Sequence, residues 1–307
     1  MTTPDTSKSI KSKTNIIAHA IALIVVIAWG VSFVSTKELL DAGLHPLQIY
    51  NYRSVLAYVL LLAINHKKII SNSWSDELWF MAAGVCGGSL YYLAENTALV
   101  YTLSTNVSLI TSLTPLLTVF LVGFLYKSEK PSSGVYIGSV VAFLGVGFVS
   151  FNSSSHLKMN PLGDILSFAA ALVFAFYSLI LRRLNAQYSG TVITRKTFFY
   201  GVVTALPFLL LEPSLVPISD LMKPAILGNL AFLGVICSLL AFLGWTEAIK
   251  GIGAVSASNY LYFQPVVTLI VAAIILGEPI TTIGVTGCVL ILTGVWLSEF
   301  LTRRRAK

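Results

Sequence analysis

The residues best placed to do chemistry in this 307-residue chain are two charges set inside apolar stretches, Arg53 and Glu95. A charged side chain at the centre of a bilayer costs about 2.5 to 3.5 kcal/mol on insertion scales, so it must pair, face protein or meet water. Counted along helices rising 1.5 Å per residue, Arg53 lies about 10 Å in from Pro46 and Glu95 about 9 Å in from Tyr101. Equal depths allow an ion pair that either locks two helices together or leaves Glu95 to work on a solute or a proton. Asn96 adjoins Glu95, and Ser108, Thr111 and Pro115 follow Ser104 in an i, i+4, i+7, i+11 stripe. Such a stripe suits a polar cavity, and it equally suits close helix contacts. Trp29 and Tyr260 fall deep in their apolar runs and offer aromatic surface, while Gln264 can donate and accept hydrogen bonds. Pro115 and Pro265 each remove a backbone donor at mid-helix, so they shape the bundle or free a carbonyl. The chemistry on offer is recognition of a small solute, with Glu95 the candidate carrier of a coupling proton.

Other chemistries lack their parts. Cys86, Cys237 and Cys288 lie in apolar runs as small hydrophobes, with no metal-ligand spacing and no disulfide framework. The sequence contains no phosphate-cradling glycine loop with its lysine and no catalytic constellation. The expectation is therefore no enzyme, no cofactor and no metal.

The elements that hold these residues must be membrane helices. The chain is 56% hydrophobic and 11% charged, with a mean hydropathy of +0.82. It carries 20 basic and 13 acidic residues, where an average soluble domain of this length would carry roughly 77 charges. Stretches such as Thr14 to Thr36, Asn96 to Tyr126 and Gly251 to Gly277 contain no charge at all. A helix needs about 20 apolar residues to cross a bilayer. Hydropathy and breaker residues predict an all-α integral membrane protein of ten transmembrane helices. These lie near 16–35, 46–64, 78–99, 104–125, 135–151, 162–181, 196–211, 224–246, 254–276 and 282–300. The basic start, Met1 to Lys13, reads as the flank of a retained first span rather than a signal peptide.

Loop charge orients the spans. With both termini cytoplasmic, sixteen of the 20 basic residues fall inside, among them Lys67 and Lys68, Arg182 and Arg183, Arg195 and Lys196, and Arg303 to Arg305. Only Lys37, Lys158 and Lys223 fall outside. The net charge of +7 then faces the inner leaflet of the cell membrane, and no nucleic-acid partner is needed. The expected partners are the lipid bilayer and a small-molecule solute.

The chain also repeats itself. At an offset of 150, Ala98, Ser108, Pro115 and Thr118 fall on Ala248, Ser258, Pro265 and Thr268. At 149, Glu129, Gly138 and Gly145 fall on Glu278, Gly287 and Gly294. Two five-helix repeats, 16–151 and 161–300, are thus expected around an outer linker, 152–160. An odd number of spans per half inverts the second half relative to the first. Inverted repeats are the architecture of secondary transporters, because exchanging the two halves' conformations moves access from one side to the other. A non-catalytic membrane receptor or channel is the alternative.

The series Trp29 to Lys37 (WGVSFVSTK), Arg53, Glu95 to Leu99 (ENTAL), and Ser108 to Pro115 leading to Glu129 resembles the EamA-type transporters of the drug/metabolite transporter superfamily. Gly163–Asp164, Ser256 to Pro265 and Gly277–Glu278–Pro279 repeat the scheme in the second half. Phe174 departs from it, standing where similar proteins often have tryptophan. The resemblance implies a ten-helix carrier for small metabolites, often an exporter of amino acids or related solutes. It also implies a central cavity lined by spans one, three, four, six, eight and nine.

Overall fold

The computed structural model describes residues 6–66, 69–126, 132–153, 161–210, 216–280 and 282–305, and every regular element among them is helical. The first half runs α1 (Thr6–Asp41), α2 (Pro46–Ile64), α3 (Trp74–Gly84), α4 (Leu90–Tyr101), α5 (Ser104–Thr111), α6 (Thr114–Leu125) and α7 (Ser133–Ser153). The second runs α8 (Pro161–Leu184), α9 (Gly190–Leu210), the short α10 (Ile218–Leu221), α11 (Pro224–Ala231), α12 (Ala241–Ile252), α13 (Ala254–Ser258), α14 (Gln264–Ile275) and α15 (Thr282–Arg305). Six helical stretches are long and apolar enough to cross a membrane: Ile16–Asp41, Pro46–Ile64, Ser104–Leu125, Pro161–Leu184, Pro224–Ile252 and Ala254–Ile275. Most of the expected linker and Glu129 lie outside the described residues.

Local sequence explains several helix starts. His45 caps α2, its ring accepting from the Leu47 amide while Gln48 accepts from the His45 amide, with Pro46 in the first turn. Ser73 caps α3 by accepting from the Asp76 amide at 3.1 Å. The sequence expectation begins the seventh span at Lys196, but α9 begins earlier, at Gly190. Arg195 and Lys196 are buried rather than looped out, because Arg195 donates to the Asn65 carbonyl and Lys196 pairs with Glu77 at 2.5 Å. Tyr200 completes that knot by donating to Glu77 at 2.6 Å.

Both halves break their helices at equivalent places. Val85–Ser89, joining α3 to α4, is π-helical, and so is Phe232–Leu240, joining α11 to α12. Residues 235 to 239 of the second segment stand 150 positions after the first. Ahead of Pro115 the helix is interrupted between α5 and α6, and ahead of Pro265 it tightens to a 3-10 turn over Asn259–Phe263. Pro115 cannot donate to the Thr111 carbonyl, so the Thr114 hydroxyl does, at 2.7 Å. Ahead of Pro265 the 3-10 turn lets the Leu261 carbonyl accept from the Gln264 amide, and the Ser112 hydroxyl of the other half lies 3.4 Å from the same carbonyl.

Contacts define the two ends of the bundle. One end gathers Lys37, which donates to the Leu99 carbonyl, Pro46, which accepts from Asn96, and the Tyr101–Thr102 turn packed on Gly163. At the other end, Gly251 meets Ala18 of α1, and Arg182 lies over the Tyr126 ring. Helices α7 and α15 run antiparallel in close contact, with Gly138 against Gly294 and Ser298 and Gly145 against Gly287. The start of α1 and the end of α15 therefore lie at the Gly251 end, hereafter the terminal face.

Candidate solute site

The central cavity lies where the two halves meet. Trp29, Ser32 and Phe33 of α1, Tyr91, Tyr92 and Glu95 of α4, Thr111 of α5, Thr114 of α6, Phe174 of α8, Leu261 of the 3-10 turn and Gln264 of α14 line it. Its volume of about 10 Å³ holds no more than one water.

The aromatic wall is built on the π-helical breaks. Cys237 belongs to the second one, where the ladder from each carbonyl is displaced, and its carbonyl accepts from the Trp29 indole at 2.9 Å. Thus fixed, Trp29 packs edge-on to Phe174 and Phe242, with ring centroids 5.6 and 5.5 Å away, and against Trp245 at 5.2 Å. Tyr91 continues the wall, 5.1 Å from Phe174 and 4.9 Å from Tyr92. In the first break, Gly87 lets α3 and α4 approach α8, since a Cβ there would come within 2.5 Å of the Tyr177 ring.

Glu95 is 6% exposed and accepts from the Tyr91 hydroxyl at 2.8 Å. Arg53 is 1% exposed, donates through Nε to the Ser238 hydroxyl at 2.8 Å, and stacks 4.5 Å over the Tyr92 ring. No ion pair within 4.0 Å joins Arg53 to Glu95, contrary to the equal-depth argument. The guanidinium found a hydroxyl and a ring face, and Nη2 is buried with no hydrogen-bond partner. The two charges are connected through the touching Tyr91 and Tyr92 rings instead.

The residues singled out by sequence divide accordingly. Trp29, Glu95, Thr111 and Gln264 line the cavity together, and Arg53 stands behind Tyr92. Asn96 does not line it; its amide donates 3.0 Å to the Pro46 carbonyl and ties α4 to the start of α2. Ser108 sits in a helix crossing, 2.9 Å from the Thr268 hydroxyl, which also lies 2.8 Å from the Gly30 carbonyl. Tyr260 bonds His19 at 2.8 Å and stacks on Phe263, away from the cavity. Pro115 and Pro265 mark the two helix breaks. Ser32, Thr114 and Leu261 join the lining without any sequence signal beyond position, and Ser238 had none at all, because Gly88 stands at its repeat position.

Comparison with known proteins agrees with this architecture. The model of the EamA-like transporter family matches residues 16–151 and again 161–300. An uncharacterized transporter of Archaeoglobus fulgidus is 28% identical, over 88% of this chain and 94% of its own. A probable terminal-alkyne amino-acid exporter of Streptantibioticus cattleyicolor is 25% identical, over 92% of this chain and 94% of its own. A probable amino-acid metabolite efflux pump of Escherichia coli is 23% identical over 93% of this chain and 95% of its own. One crystal structure of a protein superposes with a TM-score of 0.71 at 18% identity, covering 96% of this chain and 99% of that one. It shares the fold.

Proposed function

The chain belongs to the EamA-like transporter family, and from that premise we propose that it is a secondary transporter that exports a small amine-bearing metabolite by alternating access. In this reading ten helices cross the cell membrane as two inverted five-helix repeats, with both termini cytoplasmic. The observation that carries it is Glu95, a buried carboxylate set in a wall of Trp29, Tyr91, Tyr92 and Phe174 at the interface of the halves. A carboxylate neutralises an ammonium, and electron-rich ring faces attract one. Arg53 Nη2, buried and without a partner, is the group suited to a carboxylate on the same solute. Thr111 and Gln264 add polar atoms to the same walls. The names of two relatives, an amino-acid exporter and an amino-acid metabolite efflux pump, point to the same class of solute.

A cavity of about 10 Å³ admits no metabolite, so a solute enters only when the halves separate toward one side. That favours a carrier over an open channel, and a receptor needs no inverted repeat. The energy would come from the solute gradient or from a proton carried by Glu95.

Purified protein in liposomes loaded with radiolabelled amino acids tests the reading. Saturable release of at least one of them is expected, and Glu95→Gln, which removes the charge that faces the ammonium, should weaken apparent affinity and abolish the pH dependence of release while leaving the fold intact. Failure of every amino acid and simple amine to cross above the rate of empty liposomes would reject it.

A further inference from the structure

Two opposite charges share one depth and stay apart. Arg53 and Glu95 both stand in the part of the bundle away from the terminal face, Arg53 near the start of α2 and Glu95 near the end of α4. Both are buried, and no contact within 4.0 Å joins them. Attraction between unlike charges grows as water is excluded, and a buried charge is ordinarily paired. Something must therefore hold the guanidinium back.

The tether comes from the second half. Arg53 donates through Nε to the Ser238 hydroxyl at 2.8 Å, and Ser238 is fully buried in the π-helical Phe232–Leu240 segment. A hydroxyl holds a guanidinium without neutralising it, whereas a carboxylate would do both. The Tyr92 ring supplies the other restraint, with Arg53 Cζ 4.5 Å from its centroid. That ring is itself fixed, stacked on Tyr50 at 5.2 Å and set edge-on to Tyr91 at 4.9 Å. Glu95 meanwhile accepts from the Tyr91 hydroxyl at 2.8 Å and borders the cavity. Arg53 Nη2, buried without a partner, leaves the guanidinium a donor to spend on that carboxylate once it is released.

We infer that Ser238 is a positioning residue of the solute site: its hydroxyl holds Arg53 back, so that Glu95 stays open to the ammonium of a solute. The inference rests on the reading of Glu95 as the ammonium site, and it names what keeps the carrier's own cation out of that place. Without the hydroxyl, the guanidinium turns to Glu95 and fills the charge site from within. A Ser238 that served packing alone would act in the opposite sense, since its loss would loosen the site and leave Glu95 more accessible.

The test reads Glu95 directly, in the purified full chain and without any solute. Dicyclohexylcarbodiimide, an apolar reagent, adds to a protonated carboxyl, and a carboxylate held against a guanidinium carries no proton and escapes it. The reagent is applied at mildly alkaline pH, where the rate follows the protonated fraction, and mass analysis of the peptide containing Glu95 gives the labelled share, with Glu95→Gln as the blank. Wild-type Glu95 should be labelled. Ser238→Ala should lower the rate about tenfold, the smaller end of what an adjacent cation does to a carboxyl's protonation. Arg53→Leu added to Ser238→Ala should restore the wild-type rate. An unlabelled wild-type Glu95 overturns the inference, as does an unchanged or raised rate in Ser238→Ala protein that elutes as folded. So does a fall that Arg53→Leu leaves in place. Should Ser238→Ala fail to fold, Ser238→Gly, which copies Gly88 of the first repeat, is read in the same way. Because no solute is present, a carrier that moved no amine would reject the proposed function and leave this result standing.

Discussion

At the scale of single residues, the position of Arg53 is set by what its guanidinium touches. A hydrogen bond to a charged group is worth about 1.5 to 3 kcal/mol, and a desolvated cation over a ring about 2 kcal/mol. Arg53→Ala should therefore lower stability in detergent by roughly 2 kcal/mol or more, the range set by those two terms. Double-mutant cycles separate its partners. Arg53 with Ser238 should show a coupling above about 0.5 kcal/mol, as contacting residues do, and Arg53 with Glu95 a smaller one. The reverse order, read from thermal melting, would restore the direct ion pair. Glu95 differs from Arg53 in kind, because it borders the cavity and accepts one hydrogen bond from Tyr91. Its replacement by glutamine keeps that hydrogen bond and removes only the charge.

At the scale of helices, close packing depends on glycines that the repeat places in register. At Gly138 a Cβ would lie 2.5 Å from the Gly294 carbonyl and the Ser298 Cβ, with the backbone on one side leaving nothing flexible to yield. Overpacking of this kind costs typically 1 to 3 kcal/mol, so Gly138→Ala should lower the melting temperature of the purified protein clearly. Gly147, on the same helix, has nothing within 4 Å of its would-be Cβ, and Gly147→Ala should leave the melting temperature unchanged or raised. Equal effects at the two positions would mean that α7 and α15 are not packed as described. The helix breaks follow a different rule, since the Thr114 hydroxyl satisfies the Thr111 carbonyl ahead of Pro115, and the Gln264 amide satisfies the Leu261 carbonyl ahead of Pro265.

At the scale of the whole molecule, orientation rests on the distribution of lysine and arginine. A cysteine introduced at Ser154 should react with an impermeant reagent in intact cells, and one at Ser128 should react only after the membrane is opened. The opposite pattern would turn the molecule over.

The membrane character, the two repeats and the family were legible from the residues themselves. Hydropathy sums over neighbours along the chain, and a repeat is a comparison of sequence with sequence, so neither needs a tertiary contact. Trp29, Glu95, Thr111 and Gln264 were legible for a similar reason, since polarity or aromaticity deep in an apolar run is a local signal. What no local signal contained was rotation about each helix axis. That angle is set by packing against other helices, and it sent Arg53 to Tyr92 and Ser238, Asn96 to the Pro46 carbonyl, and Tyr260 to His19. The same holds for Glu278: its place in the repeat was readable, but only the fold brought its carboxylate across the interface to Ser104 and Thr105, 174 and 173 residues earlier in the chain.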